Sequence, residues 1–359
     1  MGEAEACAIG VVIPAHDEAN VIERRLRNLA AEDWPKIEDG RSHQVVVVCD
    51  HSSDGTFGVA ERAIGQLGAS SGVRFAAVRN QRAAGKAHAI ATGLSELESV
   101  DWVLLTDADV IQRRGSLDAL ARAFAAEPRL ILACGAQEFV RDLESSGQPR
   151  AAGGGEPVPC PGLYDRVTAW VRAFESRRGL LFSVHGQLLA WRIGLGLVPR
   201  PGIAADDLDL MFQARAAGGR VELIREARFL EPKLPAGEGK QDQELRRARA
   251  YFQVLGATQG SPARNRGRFA RVQLLAYRWL PYLAPELLVL GTLVPCGWVF
   301  WMLQKRMPWA FAAGLAVALL SLLLTRGPGR QLVHLAAVIR RARAERSLPS
   351  GDRWGTVRT

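Results

Sequence analysis

Two carboxylates one residue apart, Asp107 and Asp109 in Thr106-Asp107-Ala108-Asp109-Val110, come directly after the apolar run that begins at Trp102. Carboxylates at this spacing can share a divalent cation, Mg2+ or Mn2+, and such a cation neutralises the charge that grows on a diphosphate as it leaves. The same pattern is common in surface turns and helix caps. What sets this copy apart is the strand-like run in front of it, which would deliver both acids to the carboxyl end of a sheet, where α/β proteins hold their ligands.

Other chemistry-bearing groups follow similar strand ends. Asp50 ends the run Val45 to Cys49, where it could accept a hydrogen bond from a base or a ribose, whereas Asp54 is placed to cap the next helix. Gly85-Lys86 opens a helix; a lysine there can pair with a phosphate while the helix amides add donors, although the full phosphate-loop spacing is absent. Asp206, Asp207 and Asp209 fall in the first turn of another helix pattern. Transfer to a hydroxyl needs a carboxylate to take its proton, but neighbours on a helix stand about 100° apart, so these acids cannot all serve that role. Ordinary first-turn acids at the positive end of a helix are the competing reading. His16, in the turn Pro14-Ala15-His16-Asp17-Glu18, has no Ser/His/Asp order to make it a base and is read as a loop residue.

The elements that must position these groups alternate. Ile9 to Ile13, Val45 to Val48, Val73 to Val78, Trp102 to Thr106 and Leu130 to Cys134 are strand-like, and Ala19 to Ala31, Thr56 to Leu67, Lys86 to Leu97 and Ser116 to Ala126 have helical spacing. A repeated βα pattern predicts a mostly parallel sheet flanked by helices. Residues 144–162, rich in Gly, Pro and Ser, read as a loop. Tyr164 to Arg178 then looks helical, Phe182 to Trp191 strand-like, and Asp206 to Ala217 helical up to Gly218-Gly219.

Past Arg264 the composition changes. Leu287 to Leu303 and Met307 to Leu324 are uncharged apolar runs separated by Gln304-Lys305-Arg306, each long enough to cross a bilayer, which predicts a helical hairpin over 284–325. Phe269, Val272, Leu275 and Trp279 recur at helical spacing among arginines, which marks 264–283 as an interfacial amphipathic segment; Leu332, Leu335, Ala336 and Ile339 do so beside Arg340, Arg341 and Arg343 in a basic tail over 326–359. Basic flanks favour cytoplasmic ends, and the acidic N-terminus shows no signal peptide. The expectation is a multi-pass protein of the cell membrane, of the bacterial inner membrane type, with residues 1–263 as a cytoplasmic domain.

Composition bounds the alternatives. The 359 residues are nearly half apolar, as expected of a folded chain. The net charge of +9 suggests nucleic acid, but much of it lies beside the apolar runs, and no nucleic-acid partner is expected. Five cysteines (Cys7, Cys49, Cys134, Cys160 and Cys296) without a CxxC pair give little support to a zinc site or a disulfide framework. A nucleotide-dependent dehydrogenase fails for want of GxGxxG after the first strand, where the sequence reads PAHDE.

Taken in order, these segments resemble the family 2 glycosyltransferases of the GT-A fold over about residues 8–252. VVIPAHDEAN resembles the family's opening strand and proline turn, VCDHSSDGT its VDDGSTDGT segment, Asn80 through Gly93 its asparagine-to-GK segment, TDADV its DxD motif and ADDLDL its ED-L-D-L motif. The resemblance implies an inverting glycosyltransferase using a nucleotide-diphosphate sugar, UDP-sugar favoured, with a lipid or glycan acceptor at the membrane. It implies Asp207 as general base and Asp107 and Asp109 at the metal, Asp107 also touching the donor. Asp50 goes to the base, and Pro14, Glu18 and Lys86 join the donor-binding set. Gln187 lies in the acceptor-side segment. Arg246 and Arg249 supply the arginines of the family's (Q/R)xxRW motif, with Ala250 where that motif has tryptophan. Two spans enclose no pore by themselves, so a single-transfer enzyme is expected. A subunit of a processive polysaccharide synthase and a catalytically inactive membrane scaffold of the same fold are the alternatives.

Overall fold

In a computed structural model, residues 7–37, 39–67, 72–140, 163–232, 238–258, 267–305, 307, 309, 313–314 and 328–345 are described. Strand β1 (Ile9–Ala15), helix α1 (Ile22–Ala30), β2 (His43–Cys49), α2 (Thr56–Leu67), β3 (Val73–Arg79), α3 (Lys86–Ser95) and β4 (Trp102–Leu105) alternate as the periodicity predicts. The chain continues through the two-residue β5 (Ile111–Gln112), α4 (Ser116–Ala126), β6 (Leu130–Val140), α5 (Leu163–Arg177), β7 (Leu189–Arg192), α6 (Asp206–Ala216), β8 (Arg220–Pro232) and α7 (Glu238–Ala257). Two further helices are α8 (Arg268–Gln304) and α9 (Pro328–Ala344).

One sheet has the order β3-β2-β1-β4-β7-β6-β8-β5. Its first half, β3-β2-β1-β4, is parallel throughout. The second half is mixed: β7 runs antiparallel to β4 and β6, β6 and β8 are parallel, and β5 is antiparallel to β8. The expected parallel character therefore belongs to the half built of β1 to β4, while β7 enters antiparallel between β4 and β6 and makes the rest mixed. Strands β1, β2 and β4 are buried along their whole length, which is why they read as unbroken Val/Ile/Leu runs. Pro14 stands near the end of β1, a central strand, at no cost in ladder hydrogen bonds, because the β1–β4 register stops at Val12 opposite Leu105. Packing on one sheet face is close enough that a Cβ on Gly93 of α3 would sit 2.5 Å from Val12.

Three sequence expectations change. Of Phe182 to Trp191 only the last residues are strand, because Gly186–Leu188 forms a 3-10 turn that swings the chain into β7. Strand β8 and the short β5 had no counterpart in the sequence reading. The interfacial segment and the first apolar run are one continuous helix, α8, with Pro281, Pro285 and Pro295 inside it. Its first turns dock on the domain: Ala270 and Gln273 are buried, Gln273 Nε2 donates to Leu180 O at 2.9 Å, and Tyr277 stacks on Phe182 at 3.8 Å. Pro281 has no N–H to offer the carbonyl of Tyr277, and Tyr251 Oη donates to that carbonyl at 2.6 Å instead. The helix continues through the proline because the orphaned acceptor has found another donor.

Among the described residues α8 is the one helix long and apolar enough to cross a membrane. Most of 307–324, the hairpin's second arm, and the loop 144–162 lie outside the described residues. Within the basic tail, α9 folds back on α7 and α8: Ala342 is buried with Leu245 and Phe252, His334 Nε2 lies 2.7 Å from Glu244 Oε2, and Arg343 Nη1 donates to Tyr282 O at 2.7 Å. Cys7, Cys49, Cys134 and Cys296 are unbridged.

Candidate functional site

The carboxyl ends of β1, β2, β3 and β4 lie along one edge of the parallel half and lead into the loops that carry the polar groups. At the end of β2, Asp50 is fully buried and both its oxygens are engaged: Asn80 Nδ2, from the end of β3, donates to Oδ1 at 2.6 Å, and Gly85 N donates to Oδ2 at 2.8 Å. Gly85 adopts φ +139°, a conformation that side chains resist, so Asp50 fixes the turn that starts α3 and aims Lys86. Asp54 caps α2 as its spacing suggested, accepting from Thr56 N at 3.0 Å, and it also accepts from Ala19 N. Two non-glycine residues with positive φ, Asp17 and His51, occupy the loops after β1 and β2, backbone strain of the kind that gathers at functional sites.

Lys86 connects two of the acidic groups found in the sequence. Its Nζ lies 2.8 Å from Asp107 Oδ1 and 3.2 Å from Asp206 Oδ2. Burial opposes the charge on this ammonium, but the two carboxylates outweigh it and hold its pKa well above the usual lysine value. A cation at this point can pair with a phosphate oxygen. Asp109 is exposed at the rim of the same turn, with Arg24 Nη2 3.5 Å from its carbonyl oxygen. Asp107 and Asp109 thus offer hard oxygen donors from a single turn, which suits Mg2+ or Mn2+ completed by diphosphate oxygens and water. Among the described residues, no group of three or more His, Cys, Asp and Glu forms a closed metal cage.

Asp207 sits in the first turn of α6, beside Asp206. Burial first, and then the negative charge of Asp206, push its pKa up to about 6, close to the value a base operating at neutral pH needs. Its Oδ1 accepts from Leu208 N at 2.8 Å, and the backbone of Gly186 lies so close that a Cβ there would be 3.4 Å from Asp207 Cβ. Gly186 and Gln187 form the turn before β7, and Gln187 O accepts from Thr106 Oγ1 at 2.8 Å, tying that turn to the residue preceding Asp107. Asp209, by contrast, is spent on Arg200, as the reading of an ordinary first-turn acid has it.

Other sequence-predicted residues are placed less uniformly. Pro14 is buried in β1. Glu18 organises its turn through the backbone: its carbonyl accepts from Val21 N and Ile22 N to start α1, and its N–H donates to Thr56 Oγ1 at 2.8 Å. Arg246 lies on α7 within electrostatic reach of Asp107; burial and then its neighbour Arg247 lower its pKa, and Asp107 partly restores it. Arg249 does not join this group. It pairs with Glu345 at the end of α9, at an interface between helices.

Arg25 was not visible as a site residue. On α1 it is fully buried, with Nη2 donating to Thr106 Oγ1 at 2.8 Å and to Gln112 Oε1 at 3.0 Å. Burial brings its pKa down to about 10 against the pull of Glu32, Asp107 and Asp109, so it remains a cation beneath the acidic turn. Its one sequence signal was a charge on the apolar stripe formed by Ile22, Leu26 and Leu29.

Residues 6–250 match a family model described as glycosyltransferase like family 2. Among solved structures, the chain is similar to the mannosyltransferase PcManGT from Pyrobaculum calidifontis, determined in complex with GDP-Man and Mn2+. The two share 21% identity and a TM-score of 0.69, over 96% of this chain and 88% of that one. It is also similar to residues 1–349 of S. aureus TarS, with 17% identity and a TM-score of 0.51 over 94% and 88% of the two chains. At these identities the likeness is one of fold. No curated protein matches the sequence.

Proposed function

Because the chain belongs to the family 2 glycosyltransferases, we propose that it moves a sugar from a nucleotide-diphosphate donor to an acceptor hydroxyl at a membrane, with inversion at the anomeric carbon. One observation carries the reading: Lys86, Asp107, Asp206 and the proton-avid Asp207 converge at the carboxyl edge of the parallel strands. A phosphate-pairing cation and a base of suitable pKa are the two things this transfer requires from a protein.

The nucleotide lies over the β3-β2-β1-β4 half. The turn from Pro14 to Glu18 and the Asp50–Asn80–Gly85 unit shape its pocket, and Lys86 and Arg246 face the diphosphate. Asp50 acts on the base-side wall through its buried hydrogen bonds, as a positioning residue. A divalent cation held by Asp107 and Asp109 supplies charge neutralisation on the leaving diphosphate. The solved relative with GDP-Man and Mn2+ supports that donor class, and its guanosine stands beside the expected uridine as the nucleotide to test. Asp207 takes the acceptor proton as the hydroxyl attacks, and Gly186, having no side chain, leaves room for the acceptor next to it.

The membrane part of the proposal rests on α8. Trp279, Leu283, Leu287, Leu290, Val294 and Trp298 are all exposed, a larger apolar surface than a helix in water presents without a partner. The domain over 1–263 is then cytoplasmic, and the acceptor is lipid-linked or membrane-proximal. The test is transfer or hydrolysis by the purified full chain across UDP- and GDP-sugars with Mn2+ or Mg2+. Turnover that EDTA and Asp109→Ala both abolish is expected. Turnover from no donor in the panel refutes the enzyme in favour of an inactive scaffold.

A further inference from the structure

In the sheet order, the donor motifs occupy β3-β2-β1-β4, and Asp207 lies against Gly186 at the entry to β7. Beyond it, over β6 and β8, is a cationic group outside the motifs assigned to the donor. Arg172 on α5 anchors its Nε on Ser183 O at 3.1 Å and reaches the Cys134 thiol in β6, where Asp207 also exerts its charge. His185, immediately before Gly186, packs its ring edge-on against Phe229 of β8 at 5.5 Å. Arg247 extends from α7, exposed, next to the Arg246 that feels Asp107. Among the described residues, Arg172 Nη2 and His185 Nε2 are buried side-chain atoms with no hydrogen-bond partner.

Buried donors without acceptors are expensive, typically about 1–3 kcal/mol each, and are kept where a ligand satisfies them. Positive potential converges on this spot: burial, and then Arg172 and Arg247, hold the His185 pKa down to about 3, so the imidazole stays neutral. Among the described residues neither arginine forms a salt bridge, and Arg172 and Asp207 both act on the Cys134 thiol. Two guanidinium groups, joined by His185 in its Nε2–H tautomer, suit the three terminal oxygens of a phosphate monoester better than a carboxylate.

We propose that Arg172, His185 and Arg247 form an anion subsite next to Asp207 that holds a phosphate group carried by the acceptor. The proposal rests on the glycosyltransferase reading and deepens it, since it makes the acceptor a phosphate-bearing molecule whose attacking hydroxyl is delivered to Asp207. A phosphorylated lipid and a phosphorylated glycan share this chemistry.

The test uses the full chain in detergent, saturated with Mn2+ and UDP or GDP, and thermal shifts on adding farnesyl phosphate, farnesol or glucose 1-phosphate. Nucleotide stabilisation is measured in every variant as its own folding control. Farnesyl phosphate, glucose 1-phosphate or both are expected to stabilise the wild type, with apparent affinity at least tenfold weaker in Arg172→Gln and in the exposed Arg247→Gln. A preference for farnesyl phosphate identifies a lipid source, and equal response identifies a glycan source. Stabilisation by farnesol equal to that by farnesyl phosphate, no response to either phosphate, or shifts unchanged in both variants overturns the subsite. If neither nucleotide stabilises the wild type, it is the glycosyltransferase reading that falls, and the subsite falls with it.

Discussion

Replacing Asp207 by Asn should make this protein more stable while removing its activity. The amide keeps an Oδ1 acceptor for Leu208 N, so the first turn of α6 retains its hydrogen bond. What disappears is a carboxylate that the fold holds at a cost: a pKa of about 6 in place of 3.8 means that the ionised form carries roughly 3 kcal/mol more free energy folded than unfolded. The sign follows from proton binding. Between pH 3.8 and 6 the folded chain keeps a proton that the unfolded chain has released, so stability falls as pH rises through this window, and the full penalty applies above it. Relaxation around the site makes 1–3 kcal/mol the expected gain for Asp207→Asn at pH 7.5, with about half of it left at pH 5. Catalytic turnover should fall roughly 10²- to 10⁴-fold, the usual contribution of a general base, with donor affinity nearly unchanged. Urea denaturation at pH 5 and 7.5, together with initial rates, decides the matter. A variant less stable than wild type at pH 7.5 refutes the electrostatic argument, and one that keeps more than a tenth of the turnover refutes the assignment of the base.

Further outcomes follow from the same geometry. Lys86→Met leaves Asp107 and Asp206 facing each other and removes the phosphate partner; nucleotide affinity measured by calorimetry should fall roughly 10- to 100-fold. Asp50→Asn must turn an amide N–H toward either Asn80 Nδ2 or Gly85 N, so it should cost about 1–3 kcal/mol of stability and weaken donor binding together; unchanged denaturation would remove Asp50 from the turn-fixing role. Tyr251→Phe strips the donor from the Tyr277 carbonyl beneath Pro281 and should lower stability by about 0.5–1.5 kcal/mol with kcat unaltered, read by thermal melting and rates in the same preparation.

The limits of α2 and α4 coincide with their sequence periodicity, and the parallel strands were legible because burial on both faces leaves uninterrupted apolar runs. Strand β8 was hidden: Glu222, Arg225, Glu226 and Arg228 interrupt its apolar positions, and its pairing with β6 joins residues some 90 apart. Nothing in the sequence joined the amphipathic segment to the apolar run, and the tertiary contact from Tyr251 shows how α8 passes through Pro281. In the site, the positions of Lys86 at a helix start and Asp107 at a strand end could be read directly, whereas the three acids of α6 looked alike in the sequence and only the resemblance singled out Asp207. Arg25, Asn80, Arg172 and His185 act through long-range partners, and nothing local in the sequence separates a buried arginine from a solvated one. Arg249 shows the converse, a motif position whose charge is taken up by Glu345.

The stereochemistry of the product is the most direct test of the central claim. With the full chain, Mn2+ and the donor it accepts, NMR of the first-formed product should show the anomeric configuration opposite to that of the donor, with a rate that rises with pH through a limb at or somewhat below 6, since a bound cation draws the Asp207 pKa down. Retained configuration, or inversion that proceeds undiminished in Asp207→Asn, would contradict it.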